Sequence, residues 1–346
     1  MPKYRIGVLY DMWWVDEPEA APAEATAKRK APAKQEKEVH QEVYQALKES
    51  GHNPIYLTVE GDDETLLGLA ATKTDLLFNL TESYAGDDSK DMNIAAYLDL
   101  LGRRYTGAGP HALYLAQDKA LAKKIFAFHG IRTPFFATVY RGRVDWSHDI
   151  SFPVIVKPLR EDGSIGIGFA SVVGSIKDLM ERIDQIHTQF DSSALIEEYI
   201  EGREIYVGVL GNEKPEALPL VELDLSRIPE GTPRIAGTEV KWEKGTEIYE
   251  NTKPVYPEDL DEATVKRLQE TAVAAYQALR LRDYGRIDMR LAPDGTAHVL
   301  EVNPNCWLSQ KAEFAMAAKK SGRSYEALIH EIVELAMARY GAGNGG

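Results

Sequence analysis

Cysteine is nearly absent. Cys306 is the only one among 346 residues, which rules out an internal disulfide and fits a reducing compartment. Long apolar runs are missing too: none approaches the roughly 20 residues needed to span a bilayer. The opening segment, MPKYRIGVLYDMWW, lacks a basic stretch followed by an apolar run and a small-residue cleavage site. The expectation is a cytoplasmic protein without a membrane partner. Positive charge is in deficit, with 40 Lys and Arg against 54 Asp and Glu and a formal net charge of −14. A general nucleic-acid binder needs a basic footprint for phosphates, so nucleic acid is not an expected partner. A local group of lysines can still hold a small anion. Hydrophobic residues make up 44% and charged residues 27%, which supports a sizeable core in two or three domains of about 100–200 residues each.

A strand-like run covers Tyr4 to Tyr10. The Ala-, Pro-, Glu- and Lys-rich segment from about Asp16 to Lys37 has too few large apolar groups to pack and reads as a mobile loop. A helix near Val39 to Ser50 stops at Gly51, and Pro54 to Val59 and Asp75 to Leu80 read as buried strands. Strand and helix alternating in this order predict an open parallel sheet flanked by helices. Helices follow over Met92 to Leu101 and Ala116 to His129, with a strand and Gly-rich turn between them at Arg104 to Gly109. Strands then dominate, at Val154 to Lys157, Ala194 to Ile200, Ile205 to Leu210 and Ala217 to Leu223. A long helix over Asp261 to Leu281, a hairpin and a closing helix over Tyr325 to Arg339 complete the chain, and the final GAGNGG reads as frayed. The layout is a small α/β domain followed by two α+β lobes.

The hairpin GRIDMRLAPDGTAHVLEVNPN, Gly285 to Asn305, is the most informative segment. Alternation places Ile287, Met289 and Leu291 on one face and Arg286, Asp288 and Arg290 on the other. On the returning strand Leu300 and Val302 share a face, opposite Glu301 and Asn303. Pro293-Asp294-Gly295 is a turn, and folding about it sets Asp288 across from Glu301 and Arg286 across from Asn303. Opposed carboxylates repel unless a positive group lies between them. A hard divalent cation with oxygen ligands, shared with substrate phosphates, would suit. The alternative is an ordinary solvated face whose arginines neutralise the acids.

FPVIVKPLREDGSIGIGF delivers Lys157 at the end of an apolar strand, followed by a loop with Gly163, Ser164, Gly166 and Gly168. Glycines let backbone N–H groups approach phosphate oxygens, and a lysine adds a point charge. Most isolated Gly-rich turns are mere connections. Lys119, in AQDKALAKKIF, reads by itself as part of a solvated helix face, as Lys123 and Lys124 beside it also do. In SALIEEYIEGREIYVGVLG, Glu197 and Glu198 point to opposite faces, and Glu204 follows the turn at Glu201-Gly202. Such carboxylates can accept from an adenine amino group or ribose hydroxyls, or form a charged edge.

In this order the segments resemble the ATP-grasp superfamily and, within it, the D-alanine–D-alanine ligase family, from about Asp75 to the C-terminal helix. The resemblance implies an α/β N-terminal domain with a small parallel sheet at 1–108, carrying the loop at 16–37. Two α+β lobes forming an ATP-grasp fold follow at 109–198 and 199–341. It implies ATP as cofactor with Mg2+, or Mn2+ in its place, small-molecule carboxylate and amine substrates, and a homodimer. Lys119 and Lys157 would contact phosphates, joined by Lys241 of an ω-like loop, while Gly163, Ser164 and Gly166 would close over the triphosphate. Glu197, Glu198, Ile200 and Glu204 would surround adenine and ribose. Asp288, Glu301 and Asn303 would ligate the metal. Arg286, with Lys241 and Ser164, would be catalytic. The implied reaction is carboxylate attack on the γ-phosphorus, giving an acyl phosphate and ADP, followed by amine attack that expels phosphate.

The substrate positions match that family less well. Its helix-head glutamate finds its nearest counterpart at Glu36, displaced by the long loop, where a helix-start acid is an equal explanation. Its first loop serine falls on Gly163, and a tyrosine after the ω-like lysine corresponds to Trp242. An oxyanion-site glycine corresponds to Trp307. The serine that holds the second substrate's carboxylate corresponds to Ala312, with Glu313 next to it. An acid there repels a carboxylate, so the expected ligase uses substrates other than D-alanine. Trp13, Trp14, Trp242 and Trp307 either line a pocket for a larger substrate or pack in the core. Competing readings are D-alanine–D-alanine ligase itself and a non-catalytic ATP-binding protein.

Overall fold

The computed structural model describes residues 3–11, 38–140, 143–146, 151–161 and 163–342. The segment expected to be a loop at 16–37, together with Glu36, Trp13 and Trp14, lies outside them, as do the last four residues of GAGNGG. Three sheets organise the rest. Strands β1 (Arg5–Asp11), β2 (Asn53–Val59) and β3 (Leu76–Asn79) form a parallel sheet in the order β2-β1-β3. Helices α1 (Val39–Glu49), α2 (Asp63–Ala71) and α3 (Asp91–Leu100) accompany it. Helix α2 has no counterpart in the sequence reading. Its start is marked by Asp62, whose carboxylate accepts from the Thr65 backbone N–H at 2.8 Å, a side-chain cap that satisfies one orphan donor.

The helix expected over Ala116 to His129 is two helices, α4 (Pro110–Gln117) and α5 (Lys119–Phe128). Asp118 leaves the helical conformation (φ −83°, ψ 90°), and its carboxylate caps α5 by accepting from Leu121 N at 2.9 Å. Lys119 and Lys123 then stand one turn apart on a single face. That face is turned inward: Lys119 is 3% exposed and Lys123 0%. The expected solvated lysine face holds for Lys124 alone of the three, because the break at Asp118 sets a new helix direction.

Strands β4 (Phe136–Tyr140), β5 (Arg143–Trp146), β6 (Val154–Pro158), β7 (Val172–Val173) and β8 (Ala194–Glu198) build an antiparallel sheet ordered β5-β4-β8-β6-β7. Strand β8 ends two residues earlier than expected, leaving Ile200 outside it. Helix α6 (Ile176–Gln189) covers this sheet, its Leu179, Ile183 and Ile186 packing with Val154, Val156 and Ile196.

The third sheet is antiparallel and ordered β12-β11-β9-β13-β14, with β10 added to β9. Its strands are β9 (Arg203–Leu210), β10 (Glu216–Ala217), β11 (Val221–Asp224), β12 (Lys253–Val255), β13 (Tyr284–Leu291) and β14 (Ala297–Asn303). The run expected as one strand from Ala217 to Leu223 is thus divided between β10 and β11. Short helices α7 (Thr238–Lys241) and α8 (Glu247–Asn251) precede α9 (Glu262–Ala278), and α10 (Glu313–Lys320) and α11 (Tyr325–Ala342) close the chain. Alternation along β9 and β13 divides the core. Ile205, Val207, Ile287 and Met289 pack with Leu268 and Ala272 of α9, while Tyr206 and Tyr284 join Phe314 of α10 on the other side. Each fully buried aliphatic side chain of this kind contributes about 1.5–3 kcal/mol. Gly208 decides how close α10 comes: a Cβ there would meet the Phe314 ring at 2.9 Å. Gly208 pairs across the sheet with Arg286, so this close approach delivers the start of α10 to that arginine.

Candidate active site

The third sheet's hairpin has the expected register: Asp288 pairs with Glu301 and Arg286 with Asn303. One detail differs. A bulge after Asp288 pairs Met289 with Val299, which removes Leu300 from the apolar face it was expected to share with Val302. The charged face is enclosed rather than solvated, with Asp288 3% and Arg290 4% exposed. Arg286 grips Asp288 at two points, Nε to Oδ1 at 2.7 Å and Nη2 to Oδ2 at 2.8 Å. Asn303 donates its amide N–H to Asp288 Oδ2 at 3.1 Å.

Burial pushes the Asp288 carboxyl up to about 6; Arg286 opposes that rise and Glu301 adds to it. Burial also pushes Glu301 up, but Lys119, Lys157, Lys241 and Arg286 outweigh it and hold that carboxyl at about 2. Opposed antiparallel residues have Cβ atoms about 5 Å apart, and two unit charges near that distance repel by about 3–4 kcal/mol at an effective dielectric of about 20. The arrangement therefore requires positive charge, which Arg286 supplies to Asp288 and Lys119, Lys157 and Lys241 supply to Glu301. Asp288, Glu301 and the Asn303 amide oxygen are hard oxygen donors of the kind Mg2+ or Mn2+ takes, and they are the residues here that could hold one.

The second sheet supplies lysines. Lys157, at the end of β6, and Lys123 each contact the Glu197 carboxylate, at 2.7 Å and 2.8 Å. Glu197 is 1% exposed. It is enclosed by these two cations, where the resemblance had it reading adenine or ribose. Lys119 donates to the Glu161 carbonyl at 2.7 Å and stands 3.9 Å from Glu301. Lys119, Lys157 and Glu301 are thereby gathered where the two sheets face each other. Lys123 was missed as a site residue, and its i+4 spacing from Lys119 was the available signal. Glu204 is 5% exposed and accepts from Arg290 Nη2 at 2.8 Å and from the Tyr206 hydroxyl at 2.9 Å. Glu198 is partly buried, and its backbone N–H donates to the Phe135 carbonyl at 2.9 Å; Ile200 is also partly buried.

The Gly-rich loop is docked on the segment around α7. Ser164 donates to the Ala236 carbonyl at 2.8 Å, Thr238 N to Ile167 O at 2.8 Å, and the Trp242 indole N–H to Gly163 O at 2.9 Å. Glu239 accepts from Phe169 N at 2.9 Å. Gly166, at φ +70°, lies where a Cβ would meet Pro158 and Phe190 within 2.9 Å. Lys241, at the end of α7, contributes to the field on both Asp288 and Glu301.

Of the substrate positions, Trp242 is 53% and Trp307 46% exposed, so neither is a core residue. Ala312 is buried. Glu313, the first residue of α10, meets Arg286 Nη1 at 3.1 Å. Burial works against the Arg286 charge, but Asp288 and Glu313 outweigh it.

A small parallel sheet followed by two antiparallel lobes that face lysines and paired carboxylates toward each other defines an ATP-grasp enzyme. Residues 129–334 match the family described as D-ala D-ala ligase C-terminus. The uncharacterized protein y4sG of Sinorhizobium fredii is 34% identical over 88% of both chains. A D-alanine–D-alanine ligase of Bordetella petrii is 33% identical over 86% of both. The ATP-complexed D-alanine–D-alanine ligase of Bacillus anthracis has the same fold, with a TM-score of 0.71 at 20% identity, over 99% of this chain and 100% of that one. The chain belongs to the D-alanine–D-alanine ligase family, and as a member it is an ATP-grasp carbon–nitrogen ligase. Among the described residues, no helix is long and apolar enough to cross a membrane.

Proposed function

We propose that the chain is an ADP-forming carboxylate–amine ligase that works through an acyl phosphate and joins amino acids or related substrates other than D-alanine. A cytoplasmic location, a homodimer and the three units 1–108, 109–198 and 199–341 belong to the same proposal. Lys119, Lys157 and Lys241 bind the triphosphate, and the loop at Gly163, Ser164 and Gly166 covers it. Water is kept from the acyl phosphate while that cover is closed. Glu198, Ile200 and Glu204 line the nucleoside end, and Glu197 holds Lys157 in place. Asp288, Glu301 and Asn303 would hold Mg2+ or Mn2+, which neutralises phosphate charge when bound. Arg286 donates one N–H each from Nε, Nη2 and Nη1 to Asp288 and Glu313. It keeps a second N–H on Nη1 and on Nη2 for the single oxygen on which charge develops as the acyl carbon is attacked.

The observation that carries the departure from D-alanine is the 3.1 Å pair between Arg286 Nη1 and Glu313 Oε2. An acid fixed at that arginine opposes a second substrate's carboxylate. The competing reading, D-alanine–D-alanine ligase, draws on the name of the Bordetella petrii relative. Incubation with Mg-ATP and pooled amino acids, with ADP measured and products identified by mass, separates them. ADP release only with D-alanine would establish the competing reading. Tight ATP binding with no ADP from any pool would favour a nucleotide sensor, and AMP would rule out the acyl phosphate.

A further inference from the structure

Resting on the ligase reading above, we infer that Glu313 selects an amine acceptor whose second polar group is a hydrogen-bond donor, an ammonium or a carboxamide, where a free amino acid has its carboxylate. Arg286 is already engaged by the chain's own acids. Nε and Nη2 lie on Asp288 at 2.7 and 2.8 Å, Nη1 lies on Glu313 at 3.1 Å, and the Tyr206 ring covers one face at 4.9 Å. A substrate carboxylate could reach this guanidinium only by displacing Glu313 or crowding beside it. The start of α10 gives no alternative seat. Ala312 occupies the cap position with no hydroxyl and no side-chain cap, and the anion that a helix start favours is Glu313 itself.

The local charge points the same way. Asp288 and Glu313 share Arg286, while Glu301 is turned to the lysines. A substrate carboxylate beside Glu313 would be repelled by it, whereas an N–H donor or a cation finds in Glu313 an acceptor that is partly open, with its side chain 22% exposed. The step itself is simple. The acceptor's neutral amino group attacks the acyl carbon, a C–N bond forms, the C–O bond to phosphate breaks, and phosphate leaves with the electron pair. The surplus proton on nitrogen passes to the departing phosphate. Glu313 holds the other end of the acceptor through this step.

The test uses the full chain with Mg-ATP and the donor acid found by pooled screening, reading ADP release and product mass. Acceptors are D- and L-alanine, the two alaninamides, 1,3-diaminopropane, and hydroxylamine, which traps the acyl phosphate whatever the natural acceptor. An amide or diamine used with about tenfold or more higher kcat/KM than either alanine is the expected result. The two classes of acceptor separate carboxamide from ammonium. Hydroxamate formation combined with equal or better use of free alanine overturns the inference and leaves the ligase reading intact. Absence of both hydroxamate and ADP with every donor overturns both. Glu313→Leu is expected to shift the acceptor ratio toward alanine by about tenfold. Should that variant fold poorly, Glu313→Gln, which keeps an oxygen for Arg286 without the charge, is expected to lose the diamine while retaining the amide. An unchanged ratio in the folded variants also overturns the inference.

Discussion

Lys123 Nζ lies 2.8 Å from Glu197 Oε1, with the two side chains only 1% and 2% exposed. The same ammonium donates to the Thr133 hydroxyl at 2.7 Å and to the Leu300 carbonyl at 3.2 Å. One cation thus joins helix α5, the sheet that carries Lys157 and the strand that carries Glu301. The bulge after Asp288 brings Leu300 into this network, next to Glu301 in the chain. Burial pushes the Lys123 amine down to about 8, opposed by the Glu197 charge.

Replacing Lys123 by Met would leave an oxygen of Glu197 and the Leu300 carbonyl without this partner. Breaking a buried pair typically costs about 3–5 kcal/mol, and the retained Lys157 contact places this change near about 3. Urea unfolding of Lys123→Met checks the loss. The KM for ATP is expected to rise more than kcat falls, because Glu197 loses one of its two tethers and holds Lys157 less firmly. Wild-type stability would show that the ion pair contributes little.

Arg286 is expected to matter chiefly for turnover. Arg286→Met removes the donor nearest Asp288 and should lower kcat by about 10²–10³-fold, the usual effect of losing one charge-stabilising group. ATP binding, measured by titration calorimetry, should change much less, since the lysines proposed to bind the triphosphate are untouched. A parallel loss of binding and rate would assign Arg286 to nucleotide affinity instead.

The carboxylate hairpin was legible because two local rules agree: strand alternation fixes which residues share a face, and Pro293-Asp294-Gly295 fixes the turn. The bulge was not, as nothing in HVLEV marks where the extra residue falls. The parallel sheet and the two later lobes followed from the order of strands and helices. Lys123 was hidden because three lysines in KALAKKIF look equally solvated, and only the Asp118 cap sets which of them turn inward. The Arg286–Glu313 contact depends on the path from Asn303 to α10 and on the approach allowed at Gly208. Those are tertiary facts with no local signature.

The Trp242 contact is expected to act as a latch for the Gly-rich loop. Its indole N–H reaches the Gly163 carbonyl at 2.9 Å while half the side chain remains in solvent. Trp242→Phe keeps most of the apolar surface and removes this bond, worth about 1 kcal/mol. A looser cover should raise the KM for ATP roughly fivefold and raise ADP release in the absence of amine. Coupled-enzyme assay of ADP with and without acceptor checks both effects; tight coupling retained in the variant would rule out the latch.

The contact between α1–β2 and α11 should respond to pH through His52. Its Nε2 lies 3.0 Å from His330 Nδ1, and its Nδ1 accepts from Tyr4 N at 3.4 Å. Burial lowers the His52 pKa, His330 lowers it further, and Glu334 partly opposes them. A lowered folded-state pKa means that the unfolded chain takes up its proton first. Stability from neutral His52 is therefore complete above the unfolded value of about 6.5 and falls as pH drops through and below it. The Tm should decline from about pH 7.5 to about pH 5.5. His52→Asn, which offers Tyr4 N an uncharged acceptor, should decline less over that range. An identical fall in both proteins would place the acid sensitivity elsewhere, in the other histidines whose pKa burial lowers, His40 and His298.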